Sequence, residues 1–249
     1  MLYTYTFKGW TPSIVPVTRD ATYKAVFEAK QYPISPFNPV TPVTPVTPAE
    51  PVTPVTPAEP VTPALPFNDV SHDSPFHDDI SYVYENDIMN GMSGTTFGEN
   101  LPLTRGMIVT VLHRMEGKPD VTYTGVFTDV PAGEWFTDGV EWAASHGIVL
   151  GYGNGKFGPN DNVTREQLAA ILFRYANWKG FDTSVGEDTN ILSYYDAFTW
   201  GDWAVSALQW ACGTGVLEDV PVGMLRPTDD ATRGEIAHAI RIFCEEVAK

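Results

Sequence analysis

Cysteine, positive charge and long apolar runs are all scarce in this sequence. Its two cysteines, Cys212 and Cys244, form no C-x-x-C pair, so a metal or redox site is unsupported and two separate thiols are favoured over a disulfide. No run of about 18 apolar residues occurs, so the sequence offers no candidate membrane span. Against 31 Asp and Glu there are 15 Lys and Arg, and the formal net charge of -16 argues against nucleic acid or an anionic membrane as a partner.

Catalytic and metal-binding motifs are missing as well. The histidines lack the spacing of a zincin or a zinc finger, and there is no G-x-S-x-G elbow, no H-E-x-x-H and no P-loop. The glycine-rich stretch at 151–162 lacks the acidic pattern of a calcium-binding EF-hand loop. We therefore expect no enzymatic activity, no metal and no cofactor in this chain.

The first 30 residues predict a partial β domain. Tyr3, Tyr5 and Phe7 alternate with polar residues, and the same period of two recurs at 23–27, so both segments are predicted strands. Two strands alone are marginally stable in water. The start of the chain also lacks the basic and apolar regions of a secretory signal. From these features we expect the sequence to be a fragment of a longer, exported protein.

Residues 31–66 are dominated by proline. Proline stands at every third position from Pro33 to Pro66, mostly with Val-Thr between. Because proline fixes φ and removes an N–H donor, helix and sheet are both disfavoured, and a period of three matches the polyproline II turn. We predict an extended spacer with a reach on the order of 100 Å. A P-x-x-P ligand for an SH3 domain is the less favoured interpretation.

The remainder of the chain repeats one pattern three times. The clearest copy runs from Phe127 to Gly180, and the third copy aligns with it without a gap, from Trp135 on Trp203 to Arg165 on Arg233. Such internal repetition predicts structural units that stack on one another. The predicted repeats are residues 67–120, 127–182 and 190–249.

Each copy predicts two helices joined by a loop. Thr164 and Gln167 form a capping-box pattern before the second helix of copy two, and Thr232 and Glu235 repeat it in copy three. Apolar residues follow at helical spacing in all three copies: Ile108, Val111, Leu112 and Met115; Leu168, Ile171, Leu172 and Tyr175; Ile236, Ile240 and Phe243. Because one copy has too few apolar residues for a core, we expect a mainly α-helical trio around a shared core.

The motifs of these copies resemble the S-layer homology (SLH) family. They are F-x-D-V, A-x-x-x-G-I-x-x-G, G-x-F-x-P and a helix that opens with T-R-x-E, and copy two matches nearly throughout. The resemblance implies a pseudo-threefold α-helical fold on the bacterial cell surface, in the cell wall or S-layer. It also implies binding of secondary cell-wall polysaccharide, typically through a pyruvylated sugar, or of a peptidoglycan-linked polymer. Residues 1–30 similarly resemble the C-terminal part of the Listeria–Bacteroides (internalin B-type) β-repeat.

The resemblance implies a glycan-binding role for the arginine of the T-R-x-E motif, which corresponds to Arg105, Arg165 and Arg233 in this sequence. A guanidinium is a planar fork of donors that matches the carboxylate of a pyruvyl ketal, and first-turn N–H groups favour an anion. The other candidate glycan-binding residues are Thr164, Thr232, Asp129, Trp135, Gly151, Tyr152, Gly153, Lys156 and Trp203. Because the loops of copies one and three depart from the pattern, we expect unequal sites, with the strongest at Arg165. We also expect Arg165 to be dispensable for folding, since Thr164 and Gln167 cap the helix.

Simpler interpretations of these residues stay open at this point. The arginines can be solvated surface charges, Trp135 and Trp203 can belong to the core, and Asp129 can be a turn or cap residue. The leading hypothesis is a carbohydrate-binding module that anchors a surface protein non-covalently to the cell wall. The alternatives are a structural surface-layer or adhesin protein that acts by protein–protein contacts, and the anchoring tail of a larger exported enzyme.

Overall fold

The computed structural model describes residues 2–11, 24–32, 65–186, 188–218 and 223–248, and the chain divides into two units, residues 1–59 and 60–249. In the first unit, strand β1 (Leu2–Thr11) pairs antiparallel with β2 (Lys24–Tyr32), and Phe7 lies opposite Phe27. The two predicted strands are therefore confirmed. The predicted polyproline spacer lies, apart from its two ends, outside the described residues.

The described residues of the second unit form three helix pairs, which confirms the predicted helix–loop–helix repeats. The short helical turns Ile191–Ser193 and Asp202–Ala204 precede α5, and a π-helical turn, Phe243–Val247, follows α6. No helix in the described part of the chain is long and apolar enough to cross a membrane. The pairs are α1 (His77–Glu85) with α2 (Arg105–Met115), α3 (Thr137–Ser145) with α4 (Arg165–Lys179), and α5 (Val205–Thr214) with α6 (Arg233–Ile242).

Threonine caps start the second helix of every repeat. The hydroxyl of Thr164 accepts a hydrogen bond from the backbone N–H of Gln167, and the Gln167 side chain accepts one from the Thr164 N–H. Thr232 and Glu235 form the same reciprocal pair before α6. Both predicted capping boxes are confirmed. In α2, Met107 stands at the third helical position, so the cap is only the bond from its N–H to Thr104.

The predicted apolar stripes meet in one core. The stripe residues of α2, α4 and α6 are buried apart from Met115, which is partly buried. Phe97, Phe157 and Leu225, one from each inter-helix loop, are fully buried and attach the loops to this core. Cys212 and Cys244 are present as thiols, as the sequence favoured.

A closed ring of hydrogen bonds joins the three repeats. Leu103 donates its N–H to the carbonyl of Ala231 at 3.1 Å, Ala231 to Val163 at 2.8 Å, and Val163 back to Leu103 at 2.9 Å. Around this ring the second helix of each repeat packs on the first helix of the next, as α2 on α3, α4 on α5 and α6 on α1. The third repeat therefore closes on the first, and the trio is a pseudo-threefold unit rather than an open stack.

Candidate functional site: grooves between repeats

An aspartate fixes the inter-helix loop of each repeat. Asp129 accepts hydrogen bonds from the N–H groups of Phe157 and Gly158, both at 2.8 Å, one on each carboxylate oxygen. Burial tends to raise the pKa of Asp129, but these N–H bonds outweigh it and the pKa is lowered. Asp69 and Asp196 hold their loops in the same way. Of the two roles considered for Asp129, the structure therefore shows the turn-fixing one.

The three T-R-x-E arginines are buried, and each forms hydrogen bonds from its own repeat to the next one. Arg105 is 5% exposed and donates from Nε to the carbonyl of Phe157 and from Nη2 to that of Leu150, both at 2.8 Å. Arg233 donates to the carbonyls of Phe97 and Asn90 of the first repeat. Arg165 donates to those of Leu225 and Glu218. The interpretation of these arginines as solvated charges is wrong. The burial and inter-repeat bonds of Arg165 argue against the expectation that it is dispensable for folding.

Backbone donors at the start of these helices are already used. In α2, Arg105 donates its N–H to the carbonyl of Asp161 and Gly106 to that of Pro159, both at 2.8 Å, while Met107 bonds the capping Thr104. The first turns of α4 and α6 are bonded in the same pattern. The described helices α2, α4 and α6 therefore offer an anion no free N–H group in their first turns, and the prediction that such groups favour an anion here is wrong.

Each arginine also faces the loop of the following repeat, not its own. The well-preserved loop of repeat two packs against Arg105, whereas Arg165 packs against the divergent loop of repeat three. The expectation that the strongest site lies at Arg165 rests on an assumption that the structure contradicts. It assumed that the arginine and the loop of one copy work together, and ring closure instead pairs residues from neighbouring copies.

Groove two is a cavity of about 370 Å³ built from all three repeats. Arg105 comes from the first repeat, Tyr152 and Arg174 from the second, and Trp203 from the third. Trp203 is 55% exposed and Trp135 57%, so the alternative that they are core residues is wrong. The lining residues are Arg105, Val149, Leu150, Gly151, Tyr152, Gln167, Ala170, Ile171, Arg174 and Trp203.

Positive charge in groove two is concentrated and only partly solvated. The Arg105 guanidinium carbon lies 4.8 Å from the centroid of the Tyr152 ring and 4.5 Å from that of Phe157. Burial lowers the pKa of Arg174, and the nearby charge of Arg105 lowers it further. Two guanidinium groups that repel each other across one groove are both stabilised when an anion enters between them.

Groove one repeats this arrangement one step around the ring, with a volume of about 220 Å³. Arg233, Arg114 and Trp135 take the places of Arg105, Arg174 and Trp203. Met92 replaces Tyr152, so groove one is more apolar. Its lining residues are Met89, Asn90, Gly91, Met92, Leu103, Met107, Thr110, Val111, Arg114, Trp135 and Arg233.

The remaining predicted residues have other places. Thr164 and Thr232 are helix caps, and Lys156 lies exposed on the loop, outside the described lining of groove two. At Gly151 an added Cβ would meet the Phe127 ring at 2.5 Å, so only glycine fits, and Gly153 takes a φ of +80° that favours glycine. Of the predicted residues, the structure thus brings together Arg105, Gly151, Tyr152 and Trp203 in groove two. The prediction from sequence did not include Arg114, Arg174 and Gln167 as lining residues, although the two arginines stand at one register of their helices, L-H-R and L-F-R.

Comparison with known proteins identifies the family. The S-layer homology domain matches residues 66–106, 126–169 and 193–237, together more than half of the chain, so this protein belongs to the S-layer homology family. Among its relatives is an amylopullulanase of Thermoanaerobacterium thermosulfurigenes, 30% identical over 163 residues, which are 66% of this chain and 9% of that protein. The exoglucanase XynX of Acetivibrio thermocellus is 28% identical over 163 residues, 66% of this chain and 15% of that protein.

Surface proteins also match over shorter segments. The outer membrane protein SlpA of Thermus thermophilus is 48% identical over 48 residues, which are 19% of this chain and 5% of that protein. The chain thus spans less than a fifth of the length of each of these three relatives. The similarity to the amylopullulanase and the exoglucanase is confined to a small part of each, and it shows no catalytic activity for this chain.

Proposed function

We propose that the trio anchors its protein non-covalently to the bacterial cell wall by binding an acidic, pyruvylated secondary cell-wall polysaccharide. The observation that carries the proposal is groove two, where two guanidinium groups and two exposed aromatic rings converge on one cavity. The chain as a whole carries a formal charge of -16, so an anionic polymer must be met by cations gathered locally. Grooves one and two provide such cations.

The chemistry of this groove fits a ketal carboxylate on a sugar. Arg174 lies half-buried, and its planar fork of donors matches a carboxylate bidentately. Arg105 adds charge but spends its Nε and one Nη on carbonyl groups, so it holds the groove in shape as well. Trp203 and Tyr152 offer flat apolar faces to the C–H side of a pyranose. A peptidoglycan-linked polymer with a similar acidic substituent is accommodated by the same groups.

The cross-repeat construction explains why three copies occur together. No single repeat contains a complete groove, because Arg105, Arg174 and Trp203 come from three different repeats. Two grooves on one rigid unit also bind a repetitive polymer at two points, and the second contact is then intramolecular. Weak individual sites therefore suffice for firm retention on a wall.

The location and role follow from the same proposal. We place the protein outside the cell, at the wall or surface layer, where relatives named cell surface protein and outer membrane protein support this setting. Its module serves as an attachment part without catalysis, whether of a surface protein or of a larger exported enzyme. The alternative is a structural surface-layer or adhesin role through protein–protein contacts.

Sedimentation of the purified protein with isolated cell-wall polysaccharide tests the proposal. We expect the protein to co-sediment, and to lose binding when mild acid removes the pyruvyl groups. Arg174→Ala should weaken binding about tenfold or more while the helical circular dichroism stays unchanged, since one charge-assisted pair contributes roughly 1.5–3 kcal/mol. Lys156→Ala is the charge-matched control and should bind as the parent does. Equal binding to depyruvylated polymer would show that the pyruvyl group is not the group recognised. Self-association without binding to polysaccharide would support the structural alternative instead.

A further inference from the structure

The third inter-repeat position already contains a carboxylate from the chain itself. We call it groove three; it lies where α6 meets the first repeat and Arg165. The third helical position, which lines the other grooves, is Met107 in groove one, Gln167 in groove two and Glu235 here. Glu235 Oε1 accepts hydrogen bonds from Arg165 Nη1, at 2.7 Å, and from Arg226 Nη2.

In groove three, Arg165 stands at the position that Arg105 has in groove two, and its guanidinium is already bonded to Glu235. The side chains of Arg165 and Glu235 are 2% and 13% exposed, so their interaction is poorly screened by solvent. Glu235 is held from a second direction, because its Oε2 accepts the capping bond from the Thr232 N–H at 2.8 Å. An incoming carboxylate must therefore displace a fixed, charge-assisted hydrogen bond and leave the Glu235 charge beside its own.

Groove three also lacks the second arginine and the exposed tryptophan that line grooves one and two. At the register of Arg114 and Arg174, helix α6 carries Ile242. Directly before the N-cap of the first helix, where grooves one and two obtain Trp135 and Trp203, the first repeat carries Pro75. Groove three thus has an arginine that is paired with Glu235, and it lacks the arginine of the second helix and the aromatic platform. The other cation there, Arg226, is bound to the same Glu235 oxygen.

We infer that Glu235 acts as a built-in counter-ion, so that groove three takes no glycan carboxylate and the chain binds one acidic glycan unit at each of grooves one and two. The inference rests on the proposed function for its ligand class. Groove three instead contributes to closing the ring, since Arg165 joins repeats two and three through three bonds: to Leu225, Glu218 and Glu235.

Calorimetric and NMR titration with the methyl glycoside of a 4,6-O-(1-carboxyethylidene) hexose tests the stoichiometry. We expect one equivalent at groove one, lost in Arg114→Ala, and one at groove two, lost in Arg174→Ala. A further equivalent that survives in the double variant and perturbs the Arg165 signals would overturn the inference. Absence of binding at every groove of the parent contradicts the proposed function instead, so the two failures are distinguishable.

Glu235→Gln tests the counter-ion without any glycan. Glutamine keeps the cap, as Gln167 does in α4, but it removes the charge and places an amide NH2 where Glu235 Oε1 accepts from Arg165 and Arg226, so Arg165 loses its carboxylate partner. With acetate as a minimal carboxylate, we expect the Arg165 guanidinium NMR signals to shift in Glu235→Gln and to stay unchanged in the parent. Gln167→Glu is the converse variant, which should weaken probe binding at groove two alone. Acetate shifts of Arg165 in the parent, or an absence of shifts in a folded Glu235→Gln protein, would show that Glu235 does not block the site.

Discussion

The guanidinium of Arg105 reaches from the first repeat to the carbonyl of Phe157 in the second, 52 residues away in sequence, and lies 4.5 Å from the centroid of its ring. Arg233 makes the same contact with Phe97 at 4.6 Å. One residue type thus joins neighbouring repeats and borders the groove between them. Folding of the ring and formation of the binding grooves are therefore coupled.

Arg105→Ala tests this coupling. The substitution leaves the buried carbonyl of Phe157 and the partly buried carbonyl of Leu150 without their donors. We expect the free energy of unfolding to fall by about 3 kcal/mol, measured by urea denaturation of the helical signal. Arg105→Lys should recover only part of it, because an ammonium cannot span both carbonyls as the fork does. Parent-like stability of Arg105→Ala would show that the hydrogen bonds of Arg105 to the second repeat are dispensable for folding.

Trp203→Ala and Trp210→Ala should separate binding from folding. Trp203 is 55% exposed in groove two, so its loss should change stability by about 0.5 kcal/mol or less while weakening polysaccharide binding severalfold. Trp210 is 1% exposed, and its truncation should cost about 3–5 kcal/mol of stability. Thermal denaturation and co-sedimentation with wall polysaccharide measure the two effects. A large stability loss in Trp203→Ala would assign that ring to the core.

Local features of the fold were predictable from sequence, whereas the composition of the grooves was not. The capping pair Thr164–Gln167 and the apolar stripe of α4 depend on spacing within one helix. Which loop faces Arg165 depends on how the ring closes, and a linear pattern does not encode that. Trp135 and Trp142 likewise both recur in register in repeat three, yet only the structure shows that Trp135 is exposed and Trp142 is buried.

Asp129→Asn should loosen the loop that forms one wall of groove two. The parent carboxylate accepts two backbone N–H bonds, and an amide can replace only one of them. We expect a loss of about 1–3 kcal/mol in the free energy of unfolding. Because the folded pKa of Asp129 is lowered, its contribution is present above the unfolded value of 3.8 and is lost as pH falls through the folded pKa. Denaturation at pH 7 and pH 3 should show the difference between variant and parent shrinking in acid.

His238 should make closure of the ring depend on pH. Its Nδ1 lies 3.2 Å from Asp79 Oδ2 across the α6–α1 joint, and its Nε2 faces the Gly215 carbonyl and, at 3.6 Å, Glu218. Arg241 Nη1 donates to the other oxygen of Asp79. Burial tends to lower the pKa of His238, but the hydrogen bond and charge of Asp79, with the charge of Glu218, outweigh it and raise the pKa.

A raised folded pKa fixes the sign of the effect. The stabilisation by protonated His238 is fully present below the unfolded pKa of 6.5 and is lost as pH rises through the folded value. We therefore expect the free energy of unfolding to fall between pH 6 and pH 9 by more in the parent than in His238→Gln, which keeps a hydrogen-bond donor near Asp79 without titrating. Urea denaturation at both pH values measures the difference. Equal pH dependence in parent and variant would show that the Asp79–His238 pair does not contribute to closing the ring.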